Sequence, residues 1–167
     1  QKEEASFAPV FQPLLGPIDH AAETVLLGRL AEGVPVEEAA QRDYFEPEMP
    51  GVRQQSVAFL LERARSLRRL LVHRNPIMPT GLLAFCLDHS RAGSDRVGGV
   101  FGAVRQQFND LASTDLKARL DQTYEFRNKY VAHERQELTD RDATKEALGV
   151  WIGTLEALHA AASSARA

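Results

Sequence analysis

The chain has 167 residues, 44% of them hydrophobic and 26% charged, with a formal net charge of −3, the profile of a folded globular domain with no global attraction to nucleic acid. At this size roughly 70 per cent of the unfolded surface is buried on folding without disulfide or metal staples, and no apolar run approaches the ~20 residues that span a bilayer, which excludes a membrane-spanning class. The lone Cys86, inside the apolar run Leu82 to Leu87, cannot form an internal disulfide and fits a buried, inert thiol in a reducing, cytoplasmic compartment.

The chain opens on Gln1-Lys2-Glu3-Glu4 with neither a starting methionine nor a signal sequence, as expected of a piece cut from a longer protein. Pro9, Pro13, Gly16 and Pro17 interrupt any period over residues 1–17, which read as an extended arm or linker. Asp19 suits an N-cap for a helix over about 18–31, with Ala22, Val25, Leu26 and Leu30 on one side and Gly33 as its stop. Pro35, Glu37 and Glu38 suit the first turn of a short helix ending near Phe45. Residues 18–50 thus form accessory helices ahead of a break at Pro47 to Gly51.

From Arg53 to His73 the positions Val57, Leu60, Leu61, Ala64, Leu67 and Leu71 recur every three or four residues and predict a long helix ended by Asn75-Pro76. Thr80 to Arg91 reads as a short buried helix. Gly93-Ser94-Asp95 reads as a loop into a helix over about 95–111. Its Gly98-Gly99-x-x-Gly102 has no preceding strand, so it serves close packing rather than a dinucleotide. Ser113 is the expected cap of the next helix, which carries Leu116, Leu120, Tyr124 and Phe126 onward to His133. A capping-box-like Thr139-x-x-Asp142 predicts a last helix with Thr144, Ala147, Leu148, Trp151, Leu155, Leu158 and Ala162 in its stripe, and a frayed tail over 164–167. With no strand pattern anywhere, the fold class is all-α.

Two features bear on chemistry. Between Arg53 and Arg74 stand six arginines against one acid, Glu62, so Arg63, Arg65, Arg68 and Arg69 are candidates for following a phosphate backbone. A solvated or acid-paired arginine face is the alternative. The second feature is Arg127, which falls with Leu116, Leu120, Thr123 and Val131 in one narrow helical stripe. A guanidinium there is costly unless an anion, a carboxylate or water meets it. Glu125, Asp121 or a glutamate on another helix could do so, and His133 could simply cap a helix end. The histidines His20, His73, His89, His133 and His159 are scattered without a zinc spacing, and no cofactor is called for.

The segment Arg127-Asn128-x-x-x-x-His133 resembles the signature of the HEPN superfamily, an arginine and a histidine four to six residues apart with a small polar residue after the arginine. The resemblance covers residues 51–163 and implies a HEPN-like bundle of long antiparallel helices that pairs with a second copy so that the two segments face one another. It also implies a metal-independent endoribonuclease that forms a 2′,3′-cyclic phosphate, in a setting of antiviral defence. On that reading Arg127 holds the scissile phosphate and His133 moves the proton. Asn128 orients one of them, and Lys129 and Tyr130 contact RNA, with packing beside Phe126 as the plain alternative for the tyrosine. On a straight helix Arg127 and His133 stand about 9 Å apart along the axis and about 120 degrees apart around it, so a twofold-related copy would have to bring them together. Phe126 to His133 followed by Glu137-Leu138-Thr139-Asp140 also looks like the carboxyl-terminal domain of helicase-type restriction proteins. That implies parent helicase domains or an antitoxin as partners, or a dimerising, nucleic-acid-docking appendage without catalysis.

Overall fold

Apolar residues spaced three and four apart fold the chain into α-helices, and the computed structural model describes them over residues 6–91, 98–131 and 137–164. In chain order they are α1 (Gln12–Leu30), α2 (Glu38–Phe45), α3 (Gln54–Leu71), α4 (Pro79–Arg91), α5 (Val100–Ala112), α6 (Leu116–Phe126) and α7 (Arg141–Ser164). Short 3-10 turns cover Ala8–Phe11 and Ala31–Gly33, and a π-helical turn covers Arg127–Val131. Among the described residues there is no strand, and no helix is long and apolar enough to cross a membrane.

The extended arm expected over residues 1–17 is helical from Ala8 onward. The physical reason is Phe11, which is fully buried with its ring 4.7 Å from that of Phe126 and 4.8 Å from that of Trp151. Pro13 sits in the first turn of α1, where a missing N–H costs nothing, and only Pro17 lies inside the helix. Phe7 N–H also donates to the Leu138 carbonyl at 2.7 Å. Nor are residues 18–50 peripheral: Ile18, Ala22, Val25, Leu26, Leu30 and Phe45 belong to one apolar cluster with Leu67, Leu83, Phe101, Phe108, Leu120, Trp151 and Leu158. α1 packs along both α7 and α4, and α4 along α5.

Several helix ends differ from expectation for local reasons. Asp140, not Thr139, caps α7, its Oδ1 accepting from the N–H groups of Asp142 at 2.9 Å and Ala143 at 3.0 Å. Ser113 closes α5 instead of opening α6, its hydroxyl donating to the Asp110 carbonyl at 2.9 Å. α3 stops at Leu71, and Arg74 just beyond it takes a left-handed φ of 52°. Gly99, with φ 65°, passes so close to the Tyr44 carbonyl that a side chain would collide, the close packing expected of the glycine group, whereas Gly98 has open space around it. Residues 93–97 and 165–167, on which the expected loop and most of the frayed tail fall, lie outside the described residues.

Candidate functional site around Arg127

The stripe that carries Arg127 is buried as its spacing requires: Leu116, Leu120, Thr123 and Val131 are all 5% exposed or less. The Arg127 side chain, between the last two, is 24% exposed. It begins the π-helical turn Arg127–Val131, which also holds Asn128, Lys129 and Tyr130. A π turn inserts an extra residue per turn and recurs at functional sites, so the spacing worked out for a straight helix does not carry through this segment. His133 lies outside the described residues.

Arg127 is met by a carboxylate of its own chain. Its Nη1 stands 3.6 Å from Asp19 Oδ1, and that oxygen accepts a hydrogen bond from Thr80 Oγ1 at 2.6 Å. Asp19 is therefore not the cap of α1. It lies within the helix, turned toward the start of α4 and the end of α6. The alternatives legible in sequence are engaged otherwise: Asp121 pairs with Lys117, which also reaches Asp88 at 3.2 Å, and Glu125 is exposed. At 3.6 Å the Asp19 contact is an ion pair without a hydrogen bond, and a third of the Asp19 side chain is open to solvent, 30%. Thr80, 3% exposed, is the fixed point that holds the carboxylate in place.

Behind this pair is a cavity of about 10 Å³ lined by Leu15, Ile18, Asp19, Thr80, Thr123, Tyr124, Arg127 and Trp151. That is the volume of one water, so a nucleotide can approach Arg127 only from its solvent side. Thr123 shares a buried hydrogen bond with Thr154 at 3.0 Å, which fixes α6 on α7 behind the site. Trp151 is 1% exposed, and its Nε1 finds no hydrogen-bond partner among the described residues. Asp19 and Thr80 are the site residues that sequence reasoning missed; both are far from Arg127 in the chain and carry no motif.

The flanking aromatics pack. Tyr130 is partly buried with its ring 4.8 Å from that of Phe126, and Lys129 Nζ lies 5.0 Å over the Tyr130 ring. Asn128 is partly buried and Lys129 exposed. The four arginines of α3 are not brought together. Arg65, Arg68 and Arg69 line one groove. Arg63 is on another side of the helix, its guanidinium 5.1 Å from the Phe59 ring and 5.6 Å from the Phe85 ring. Cys86 is fully buried, and burial pushes its thiol far above the usual range against a small opposing pull from Arg63, so it is no nucleophile.

No protein-family model matches the chain, and it matches none of the curated proteins and none of the solved structures.

Proposed function

We propose that the chain is a metal-independent endoribonuclease of HEPN type, a defence effector that acts as a dimer with Arg127 and His133 contributed to a composite site. The observation that carries the reading is the state of Arg127: a guanidinium on a core stripe, 24% exposed, opening a π-helical turn, and facing one carboxylate at 3.6 Å without a hydrogen bond. Its planar fork keeps N–H donors for phosphate oxygens and for the charge that grows on them in the transition state.

In the proposed step the ribose 2′-oxygen forms a bond to phosphorus as the bond from phosphorus to the 5′-oxygen breaks. His133 takes the 2′-hydroxyl proton or supplies one to the leaving oxygen, as an imidazole with an ordinary pKa near 6.5 can do. The products are a 2′,3′-cyclic phosphate and a 5′-hydroxyl, with no water consumed. Asn128, adjacent on the π turn, orients the histidine or the phosphate.

The test is cleavage of single-stranded RNA in EDTA. Arg127→Ala and His133→Ala should each lose about 100-fold or more of the rate while keeping the helical circular-dichroism spectrum. Undiminished cleavage by Arg127→Ala overturns the assignment.

A second reading is favoured by Asp19 itself. A guanidinium already facing a carboxylate of its own chain suits a dimerisation and nucleic-acid-docking domain of a larger restriction helicase, without catalysis. RNA bound by the wild type but left uncut, with product absent at every enzyme concentration, selects this reading.

A further inference from the structure

We infer that the groove on the solvent side of α3 is a phosphate-backbone track for single-stranded nucleic acid, which ends beside Arg127. The groove encloses about 530 Å³ and is lined by Arg65, Arg68, Arg69, His73 and Ile77 together with two carboxylates, Glu46 and Glu62. Arg65, Arg69 and His73 are spaced four residues apart, so they rise about 6 Å per step along one line. Val72, still in the helical region and donating to the Arg68 carbonyl at 2.9 Å, carries that line past the end of α3. Arg68 lies alongside, its Nε buried without a hydrogen-bond partner among the described residues.

The segment from Arg53 to Arg74 contains no lysine, so every permanent cation of the track is a guanidinium. That group binds phosphate through two parallel N–H bonds and stacks on bases. A single strand carries one charge on every repeat and so satisfies the row in any register, and it also offers bases for the guanidiniums to stack on, which an acidic peptide does not. Arg65 is held by Glu46 at 3.2 Å, but 65% of its side chain is exposed; such a pair is weak and screened, and phosphate competes with it.

The track also has a destination. Ile77 lines the groove and is three residues from Thr80, which holds Asp19 against Arg127; three residues span at most about 11 Å. In this connection Arg74 and Met78 both adopt left-handed φ, 52° and 50°, and Ile77 and Met78 are each 48% exposed. Such strained backbone persists where the fold over-determines it, commonly at ligand sites, and the two apolar side chains offer a surface for a base. The proposal rests on the ribonuclease reading only for where the strand leads, not for what the groove binds.

The test is fluorescence anisotropy with a labelled single-stranded DNA oligonucleotide, which lacks the 2′-hydroxyl and cannot be cut by the proposed route. Three phosphate contacts give a log–log salt slope near −2, about an 18-fold loss of affinity from 50 to 200 mM salt. Arg68→Ala with Arg69→Ala should flatten the slope to about −0.7. The corresponding lysine pair should keep most of the slope, and Glu62→Gln, which removes a carboxylate from the lining, should tighten binding. The inference is overturned if the alanine pair, folded by circular dichroism, binds as the wild type does at every salt concentration. It is also overturned if a polyglutamate peptide binds as tightly as the oligonucleotide and loses as much in the same variant. Should the alanine pair fail to fold, an affinity unmoved by Glu62→Gln overturns it. Binding by this groove without RNA cleavage removes only the ribonuclease reading; cleavage with unaltered binding in the groove variants removes only the track.

Discussion

Arg29 and Arg127 each face an aspartate on another helix, and the two sites use the same groups to opposite ends. Arg29, at the end of α1, has a side chain 8% exposed; Nη1 donates to Asp110 Oδ1 at 2.6 Å and to the Gln107 carbonyl at 2.9 Å, and Nη2 to Ser164 Oγ at 3.0 Å. It ties α1 to α5 and to the end of α7. Arg127 is 24% exposed and faces Asp19 at 3.6 Å, while the same carboxylate oxygen is held by Thr80. One guanidinium has both its Nη groups engaged by its own fold, with its buried Nε unpartnered among the described residues; the other is positioned and left open. Burial alone does not separate a structural arginine from one that can receive an anion. Engagement of the two Nη groups does.

The largest stability effect is expected where both Nη groups are engaged. Arg29→Ala removes three charge-assisted hydrogen bonds and should cost about 2–3 kcal/mol, which lowers Tm by roughly 4–12 °C in a chain of this size. Arg127→Ala should cost under about 1 kcal/mol, the usual worth of a partly exposed ion pair. Urea denaturation with an unchanged m-value measures both. Equal losses would make Arg127 a second clamp and end the distinction.

Smaller effects probe the partner of Arg127. Thr80→Val removes a buried hydroxyl that donates to Asp19 and should cost about 1 kcal/mol. On the proposed ribonuclease reading, freeing the carboxylate to close on the guanidinium should also raise KM for RNA. Asp19→Asn should lower KM by up to about fivefold, the equivalent of removing a competing ion pair worth about 1 kcal/mol. A KM that rises in Asp19→Asn instead would show that the carboxylate aligns the guanidinium rather than competing for it.

How much of this was legible from sequence follows from the range of the interactions. The stripes of α3 and α7 and the inward placement of Arg127 rest on local helical period, and they hold in part. Ala64, Leu67 and Leu71 are buried, as are Thr144, Trp151 and Leu158, whereas Val57, Leu60, Leu61, Ala147, Leu148, Leu155 and Ala162 are only partly buried, and Leu70, Thr154 and Ala161 are buried outside the expected stripes. Turn and cap chemistry was half legible. Asp140 and Thr139 are both good caps in isolation, and only the actual N–H geometry selects the aspartate. The prolines at the start of the chain read differently in the fold because their effect depends on position in the first turn of α1, and because the burial of Phe11 against Phe126 and Trp151 is a long-range event. Asp19 shows the limit most directly. Its local signal was that of an N-cap, while its role is set by contacts with Thr80 and Arg127, 61 residues away in the one case and still farther along the chain in the other. The splitting of the α3 arginines had the same cause: Arg63 turns onto Phe85 of α4, a contact no helical wheel of α3 contains.

The smallest effect lies in the acid range and tests whether the Arg29 clamp is held by charge. Burial pushes the Asp110 carboxyl upward, but the hydrogen bond and charge of Arg29 outweigh it and, with backbone N–H groups, hold it below the ordinary 3.8. For an acid whose folded pKa is depressed, the stabilisation is present in full above the unfolded value and fades as pH falls through the folded one. The stability gap between wild type and Arg29→Ala should therefore be constant from neutrality down to about pH 4 and narrow below it. The narrowing is small because the Asp110 side chain is 67% exposed and its pair is screened. A gap that stays constant through the acid range would assign the clamp to the uncharged acceptors, the Gln107 carbonyl and Ser164 Oγ. Those acceptors do not titrate, and Arg29 would then differ from Arg127 in hydrogen bonding alone, not in the strength of its ion pair.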